Sequence, residues 1–433
     1  MKHKVMIVDA GGRAAALAAK YLESKLVSAV VVVPGNDLIA YMHKKAKIYP
    51  NVKVTDTSQI TKIALEEKVD LVDVAQDDAV AAGVVDALVA SDIKVLGPTK
   101  LAGQIEWDKS WSKNFMKKIK IPSAAYIICY SQKEGLSYIK KQKDASWFIK
   151  ASGLAAGKGA LFAKNNKDAQ EKIKQMQNFG KAGETFVIEK CLFGEEFSAF
   201  ALCDGQTFQI LGYAQDHKTV FENNEGPNTG GMGCSSPPMA ITKDIEKQTA
   251  VIFKKAVSGL QNIKRPYVGI LYLGGIIDKN RRVLTIEFNA RWGDPEAQVV
   301  IPAVKNDFYT LATAAVGKKI KSVKIKKDNK YRIAITCASR GYPQDYSKVG
   351  GKQIFGLKII NSQVKILGAG VRVAGNKYFA RGGRLFYVLA EGKNILEARK
   401  YAYEAIAQIF IEGNNMHTRG DIGYRDLERF YKK

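Results

Sequence analysis

Glu287, Asn289 and Arg291 alternate along the segment Thr285-Ile286-Glu287-Phe288-Asn289-Ala290-Arg291-Trp292-Gly293-Asp294-Pro295-Glu296. Alternate residues of a strand share a face, so this spacing sets a carboxylate, an amide carbonyl and a guanidinium in one row. Hard oxygen donors suit Mg²⁺, which takes one or two protein oxygens and completes its octahedron with phosphate and water. An arginine alongside can hold a phosphate or carboxylate bidentately. A solvated strand face with an incidental ion pair would carry the same residue types. The apolar runs on both sides of this strand weigh against that simpler reading.

Three further segments hold chemistry-bearing residues. In Lys150-Ala151-Ser152-Gly153-Leu154-Ala155-Ala156-Gly157-Lys158-Gly159, small residues let backbone N–H groups close on phosphate oxygens, and Lys150 and Lys158 bracket the loop. The spacing is not that of a Walker A loop, and no Ser or Thr follows Lys158. In Val187-Ile188-Glu189-Lys190-Cys191-Leu192-Phe193-Gly194-Glu195-Glu196, an apolar strand runs into a connector whose backbone could meet an adenine edge. One of the acids beyond it could reach ribose hydroxyls. Alone, this segment reads as strand, turn and surface acids. The third is Gln215-Asp216-His217-Lys218 followed by Gly226-Pro227-Asn228-Thr229-Gly230-Gly231-Met232-Gly233. Its clustered glycines exclude helix and bring bare backbone near a ligand, as an anion nest would. His217 by itself is more often a satisfied structural histidine than an acid or base.

These segments need elements to place them. Val5–Val8, Ala29–Val33, Leu71–Val74 and Lys94–Leu96 are apolar runs alternating with helical stretches, the first of them Ala14–Lys25. That alternation predicts a Rossmann-like parallel sheet over residues 1–106. Ligands then sit at the carboxyl ends of the strands, beside Gly11-Gly12, Asn36 and Gln76–Asp78. The turn Asp9-Ala10-Gly11-Gly12-Arg13 is not a dinucleotide fingerprint. A tight turn with nothing bound and an anion site at the following helix N-terminus are equally good readings of it. Residues 107–316 form a second unit, with strands at Ser123–Cys129, Trp147–Ile149, Glu184–Glu189 and Glu196–Leu202 and a lid subdomain about residues 122–192. A lysine-rich exposed linker is expected at 317–330. A small α+β domain follows at 331–433, with strands Arg332–Cys337 and Leu385–Leu389 and a helix Ile395–Ile409. No repeat is visible.

The 433 residues suffice for several domains, and 46% apolar content is ordinary for a globular protein. No run approaches the ~18 apolar residues that cross a bilayer. Asp9 interrupts the short apolar start, which reads as a first strand and not as a signal peptide. The five cysteines are scattered without a C-x-x-C pair, which fits a reducing cytoplasm and neither disulfides nor zinc. The net charge of +25 could serve nucleic acid or anionic small molecules. The lysines are spread along the chain with one dense run, Lys318 to Lys330, and no aromatic RNA-binding motif interleaves them. Dispersed surface charge is the reading adopted, with no membrane or nucleic-acid partner.

Taken in order, Gly-Leu-Ala-Ala-Gly-Lys-Gly, Gly-Glu-Glu, Gln-Asp-His-Lys, Gly-Pro-Asn-Thr-Gly-Gly-Met-Gly and Glu-Phe-Asn-x-Arg-x-Gly-Asp-Pro-Glu resemble the phosphoribosylamine–glycine ligase family of the ATP-grasp superfamily. The likeness extends to Gly97-Pro98-Thr99, Ile121-Pro122-Ser123-Ala124, Gly341-Tyr342-Pro343, Ala380-Arg381-Gly382-Gly383-Arg384 and Gly420-Asp421-Ile422-Gly423-Tyr424-Arg425, nearly the whole chain. The resemblance implies a central ATP-grasp fold and a cytoplasmic, monomeric enzyme of purine biosynthesis. It would join glycine to 5-phosphoribosylamine and split ATP to ADP and phosphate through glycyl phosphate. It implies that Glu287 and Asn289 hold Mg²⁺ or Mn²⁺, and that Lys150, Gly157, Lys158 and Gly159 cover and neutralise the ATP phosphates. Glu189 to Leu192 would line the adenine and Glu196 the ribose. Arg291, Gly293 and Asp294 would face the glycine carboxylate and acyl phosphate, making Lys158, Arg291 and Asp294 the catalytic set. Asp216, Lys218 and the Asn228-Thr229-Gly230-Gly231 nest would lie on the substrate side, and Gly11-Gly12 would receive the ribose 5-phosphate.

The departures fall together. The family reads Gly-x-Gly-Gly-Arg-Glu-His where this chain has Asp9-Ala10-Gly11-Gly12-Arg13-Ala14-Ala15, and Gly-Pro-Glu-x-Pro-Leu where it has Ala75-Gln76-Asp77-Asp78-Ala79-Val80. Thr219 stands where the family has an arginine after Asp-His-Lys. All three belong to the amine side. Two alternatives therefore stay open: an ATP-grasp ligase with a changed amine, and a basic nucleic-acid-binding protein on a retired ligase scaffold.

Overall fold

The computed structural model describes residues 2–155, 158–358 and 361–432. Strands β1 (His3–Asp9), β2 (Val27–Pro34), β3 (Ala46–Ile48), β4 (Leu71–Val74) and β5 (Val95–Leu96) form a sheet in the order β3-β2-β1-β4-β5. Every pair is parallel. Val5 to Val8 are fully buried, as expected of a strand covered on both faces. The strand order reverses between β1 and β4. The turn Ala10-Gly11 after β1 and Gln76-Asp77 after β4 thus meet at a topological switch point, where such sheets bind ligands.

A second sheet, β6 (Tyr126–Cys129), β7 (Trp147–Ala151), β8 (Ala160–Ala163) and β9 (Phe186–Lys190), is antiparallel in the order β6-β9-β7-β8. It packs on its own core of Cys129, Ile139, Trp147, Ile149, Ile173, Met176, Phe186 and Ile188.

The third sheet has nine strands. β10 (Glu195–Asp204), β11 (Phe208–Asp216), β12 (Gly233–Ser236), β13 (Val268–Ile277) and β14 (Val283–Asn289) form one part. It continues through β12 into β15 (Tyr331–Ser339), so the C-terminal part shares the central sheet. Of the remaining strands, β16 (Gln353–Phe355), β18 (Val371–Ala374), β19 (Lys377–Ala380) and β21 (Phe410–Ile411) make a small separate sheet, while β17 (Val364–Gly368), β20 (Arg384–Gly392) and β22 (Met416–His417) extend the large one.

One core joins all three sequence units: Val5, Leu17 and Tyr21 meet Phe200, Trp292 and Phe308, and also Leu367 and Tyr387. The segment 317–330, expected as an exposed lysine-rich linker, is also tied to the body. Its lysines are exposed, but Ile320 is fully buried and Val323 and Ile325 pack on that core. The Lys305 N–H donates to the Lys326 carbonyl, and the Asn306 side chain donates to the carbonyl of Lys324 and accepts from the N–H of Lys326. Apolar residues spaced among the lysines pin this stretch to the body. No helix among the described residues is long and apolar enough to cross a membrane.

Candidate active site

The four-stranded sheet and β14 face each other across a cleft lined by Lys109, Lys113, Lys150, Gly159, Glu189, Glu287, Asn289 and Arg291, with Glu106 and Asp77 at one end. β14 does not alternate strictly. Its pairing with β13 slips between Gly274 and Gly275, so Gly275 meets Thr285 and Gly274 meets Glu287. Ile286 is thereby bulged, and its carbonyl accepts from Lys113 Nζ at 3.2 Å. Bulges of this kind re-aim side chains beside functional sites. The strand ends at Asn289, so Arg291 reaches the cleft from the turn that follows, not from the strand face.

Charge in the cleft is arranged in pairs with one acid left over. Glu189 lies between Lys150 (3.1 Å) and Lys113 (3.2 Å), all three nearly fully buried. This side chain is a brace between two lysines of the cleft. Its second oxygen, Oε1, has no hydrogen-bond partner among the described residues. Lys150 keeps a raised pKa because Glu189 and Glu287 outweigh its burial. Arg291 donates to Glu106 at 2.8 Å and to Asn289 Oδ1 at 3.2 Å, with Asp77 at 4.0 Å. Lys218 pairs with Glu196 at 3.0 Å, both part-exposed. Of the acids that line the cleft, Glu287 closes no ion pair among the described residues. Burial raises its carboxyl, but Lys109, Lys150, Lys218 and Arg291 prevail and hold it down to about 2.

The described residues contain no cluster of three or more His, Cys, Asp or Glu able to hold a metal unaided. One ionised carboxylate beside an amide oxygen instead fits a Mg²⁺ or Mn²⁺ whose other positions are phosphate oxygens and water. Glu287 and Asn289 are the donor set of that kind.

Of the loop residues, Gly159 lines the cleft and Lys158 is exposed at its rim; Gly157 lies outside the described residues. Leu192 is half-buried in the connector after β9. The Asn228–Gly231 nest is internally satisfied: Thr229 N–H donates to the Lys218 carbonyl, Gly230 N–H to the Tyr342 hydroxyl and Gly231 N–H to Thr229 Oγ1. His217 is a structural histidine. Gly423 N–H donates to its Nε2, so Nδ1 carries the proton toward the Gly233 carbonyl. Burial, with Arg419 and Arg425 nearby, lowers its pKa to about 3. Gly11 and Gly12 abut Asp294 and Tyr387, and Arg13 is consumed by Asp9 and by the Trp292 carbonyl.

Several functional positions had no role in the sequence reading. Lys113 is 3% exposed on the buried face of the helix Lys109–Lys118 with Ser112 and Met116. A lysine on an apolar helical face was the available signal. Glu106 carried none, since its partner Arg291 is remote in sequence. Arg384 of β20 donates to the Asp294 carbonyl (2.8 Å) and Asp294 Oδ2 (3.0 Å), and also to the Gly230 carbonyl. It clasps the glycine nest and the Gly293-Asp294 turn to the C-terminal part.

A parallel-sheet domain, a four-stranded sheet with its own core and a long antiparallel sheet, meeting at a lysine-rich cleft with one open acid, define an ATP-grasp ligase. Such enzymes use ATP with Mg²⁺ or Mn²⁺. Models of phosphoribosylglycinamide synthetase match in succession: its N domain over residues 3–106, its ATP-grasp (A) domain over 107–297 and its C domain over 332–425. Phosphoribosylamine–glycine ligase of Vibrio cholerae is 36% identical over 431 residues, 98% of this chain and 99% of that protein. The Haemophilus influenzae enzyme of the same name is 36% identical over 434 residues, 99% and 100% of the two chains. The crystal structure of phosphoribosylamine–glycine ligase from Thermotoga maritima superposes with a TM-score of 0.81 at 27% identity, covering 97% of this chain and 100% of that one. The biotin carboxylase domain of Hydrogenobacter thermophilus 2-oxoglutarate carboxylase, solved with MgADP, ADP and bicarbonate, shares the fold at a TM-score of 0.74 and 15% identity, covering 96% and 92%. The chain belongs to the phosphoribosylglycinamide synthetase family.

Proposed function

We propose that this chain joins glycine to 5-phosphoribosylamine, converting ATP to ADP and phosphate through glycyl phosphate. The observation that carries it is the open, ionised Glu287 beside Asn289 in a cleft whose lysines are braced by Glu189. A carboxylate is a poor electrophile, so one of its oxygens must first become a phosphate leaving group. That step needs positioning and charge neutralisation more than covalent chemistry. Lys150 and Lys113 lie buried where triphosphate would enter, and Lys158 stands at the rim to cover it. Glu287 and Asn289 would hold the divalent ion, which supplies charge neutralisation at the β- and γ-phosphates. The connector Glu189–Leu192 offers backbone to the adenine, and Glu196 and Lys218 stand where the ribose would emerge. Arg291 and the Gly293-Asp294 turn would receive the glycine carboxylate, Arg291 releasing Glu106 as it does so. The lid excludes water from the acyl phosphate, which would otherwise hydrolyse. The nest binds an anion only if the Tyr342 hydroxyl yields the Gly230 N–H; Gly11-Gly12 offers the helix N-terminus to the 5-phosphate.

A second reading, a ligase of the same class with a different amine, draws on the switch point. Asp9 places an acid at the end of β1 and occupies Arg13, so that turn has no free guanidinium for a phosphate. Ala14, Ala15 and Thr219 add no replacement. ADP release is the test, measured with glycine and phosphoribosylamine separately, together, and with a panel of other amines. Turnover requiring both named substrates supports the first reading; turnover with another amine and none with phosphoribosylamine selects the second.

A further inference from the structure

The bulge in β14 leaves Ile286 out of register with β13, since Gly275 meets Thr285 and Gly274 meets Glu287. A bulged residue has no opposite residue in the ladder, and the direction of its neighbours depends on what else holds it. Lys113 does so here. Its Nζ donates at 3.2 Å to the Ile286 carbonyl, on the residue directly before Glu287. The helix Lys109–Lys118 makes that reach possible. Asp108 caps it, accepting from the Trp111 N–H at 3.0 Å. Lys109, Lys113 and Met116 then recur at one-turn spacing along the side that lines the cleft. The same ammonium stands 3.2 Å from Glu189 Oε2 on β9, and Lys150 shares that oxygen at 3.1 Å. One nitrogen on the helix thus touches both walls of the cleft.

Two roles fit a lysine so placed. As a counter-ion it would only neutralise a buried carboxylate, and removing both charges together would serve as well. As a strut it would fix the backbone that aims Glu287, and no change at Glu189 would replace it. The geometry favours the strut. Lys150 already gives Glu189 a counter-ion, whereas the bulge has no opposite residue to hold it. An ammonium carries three N–H donors, so it can serve a carbonyl and a carboxylate at once. We propose that Lys113 is a positioning residue for the divalent-ion seat: it holds the bulge at Ile286 and so fixes the direction of the Glu287 carboxylate. This rests on the assignment of Glu287 and Asn289 to the metal. Lys113 acts through the backbone and touches neither the ion nor the reacting atoms. Metal affinity then depends on a helix remote in sequence from the strand that carries the ligands.

Calorimetry on the full chain separates the two roles. The β,γ-imido analogue of ATP is titrated once with EDTA and once with saturating Mn²⁺, and the quantity read is the factor by which Mn²⁺ tightens the nucleotide. Glu189→Gln, which leaves the Lys113–Ile286 contact in place, is the reference for Lys113→Met/Glu189→Gln. The double variant removes both buried charges, so neither is left unpaired should Lys113→Met alone fail to fold. Circular dichroism checks the fold. From reference to double variant the manganese factor is expected to fall roughly 10-fold or more, the scale of one lost hydrogen bond from a charged donor. Metal-free nucleotide affinity should move less, as general damage to the cleft would not allow. An equal factor in the two proteins overturns the proposal and makes Lys113 a counter-ion to Glu189 and nothing more. Glu287→Gln reports on the reading beneath. A manganese factor that survives there refutes the metal seat and the aim of Lys113 with it, whereas its loss there beside an unaltered double variant refutes Lys113 alone.

Discussion

At Glu287 four cations outweigh burial, and each of those that forms an ion pair spends it on a different acid. The charge is therefore available to a ligand, which is what a metal-binding acid requires. Glu287→Gln keeps the shape and removes the charge, so ADP release should fall by about 10²-fold or more with the fold retained by circular dichroism. Near-normal turnover in that variant would take Glu287 out of the metal role. His217 shows the opposite economy, a neutral ring satisfied on both nitrogens. Its folded pKa is about 3, below the ordinary 6.5. Between those values the unfolded chain binds a proton that the folded one refuses, so stability falls as pH drops from 6.5 toward 3. The slope from this one group is at most ~1.4 kcal/mol per pH unit. Glu287 adds to the same trend below pH 4.5, since its depressed pKa loses its stabilising charge as pH approaches 2. Urea midpoints at pH 7 and pH 5 should therefore converge in His217→Gln relative to wild type. Equal pH dependence in both proteins would show that the ring is not the group refusing the proton.

Elements were legible where local pattern decides them and obscure where partners are distant. The apolar runs of β1, β2 and β4 announce themselves, because a strand buried on both faces needs continuous apolar residues. β3, β8, β11 to β13, β16 to β19, β21 and β22 escaped the sequence reading; β12 is only four residues long and follows directly on the glycine-rich stretch. The bulge at Ile286 was also invisible, since it is a property of the pairing with β13. Glu287 and Asn289 could be singled out because their two-residue spacing does not depend on that pairing. Glu106 and Arg384 were not, because their significance lies in contacts with Arg291 and Asp294. The helix after β1 gives an element-scale prediction. A Cβ on Gly12 would collide with the Tyr387 ring and the Gln298 amide, joining two elements far apart in sequence. Gly12→Ala should overpack that junction by about 1–3 kcal/mol and lower the melting temperature. An unchanged melting temperature would mean that the helix and β20 can slide apart freely.

The whole molecule divides into a body and a lid. The body's largest core draws residues from the parallel sheet, the central sheet and β17 and β20, whereas the lid packs on a core of its own. Part of the net +25 is surface charge: the lysines of 317–330 are exposed while Ile320 anchors their backbone. The four-stranded sheet meets the body through polar joints that include the buried Lys113–Glu189 pair. Lys109 N–H donates to the Ser152 carbonyl at 2.9 Å, and the Ser152 hydroxyl donates at 2.9 Å to Asp108, which also caps the helix Lys109–Lys118. If this sheet acts as a lid, Ser152 and the Cys191–Gly194 connector are where it would swing while keeping its own packing. ATP with Mg²⁺ would bridge Lys150 on the lid to Glu287 on the body and favour the closed arrangement, a shift limited to the difference in affinity between the two states. Lys158 is exposed at the rim of the loop and is a trypsin site. Cleavage after Lys158, followed by mass spectrometry, should slow several-fold with ATP and Mg²⁺, and cleavage after an exposed lysine of the body such as Lys324 should not change. Equal slowing at both sites would indicate general stabilisation by ligand, and no slowing at Lys158 would mean that the lid does not close over the nucleotide.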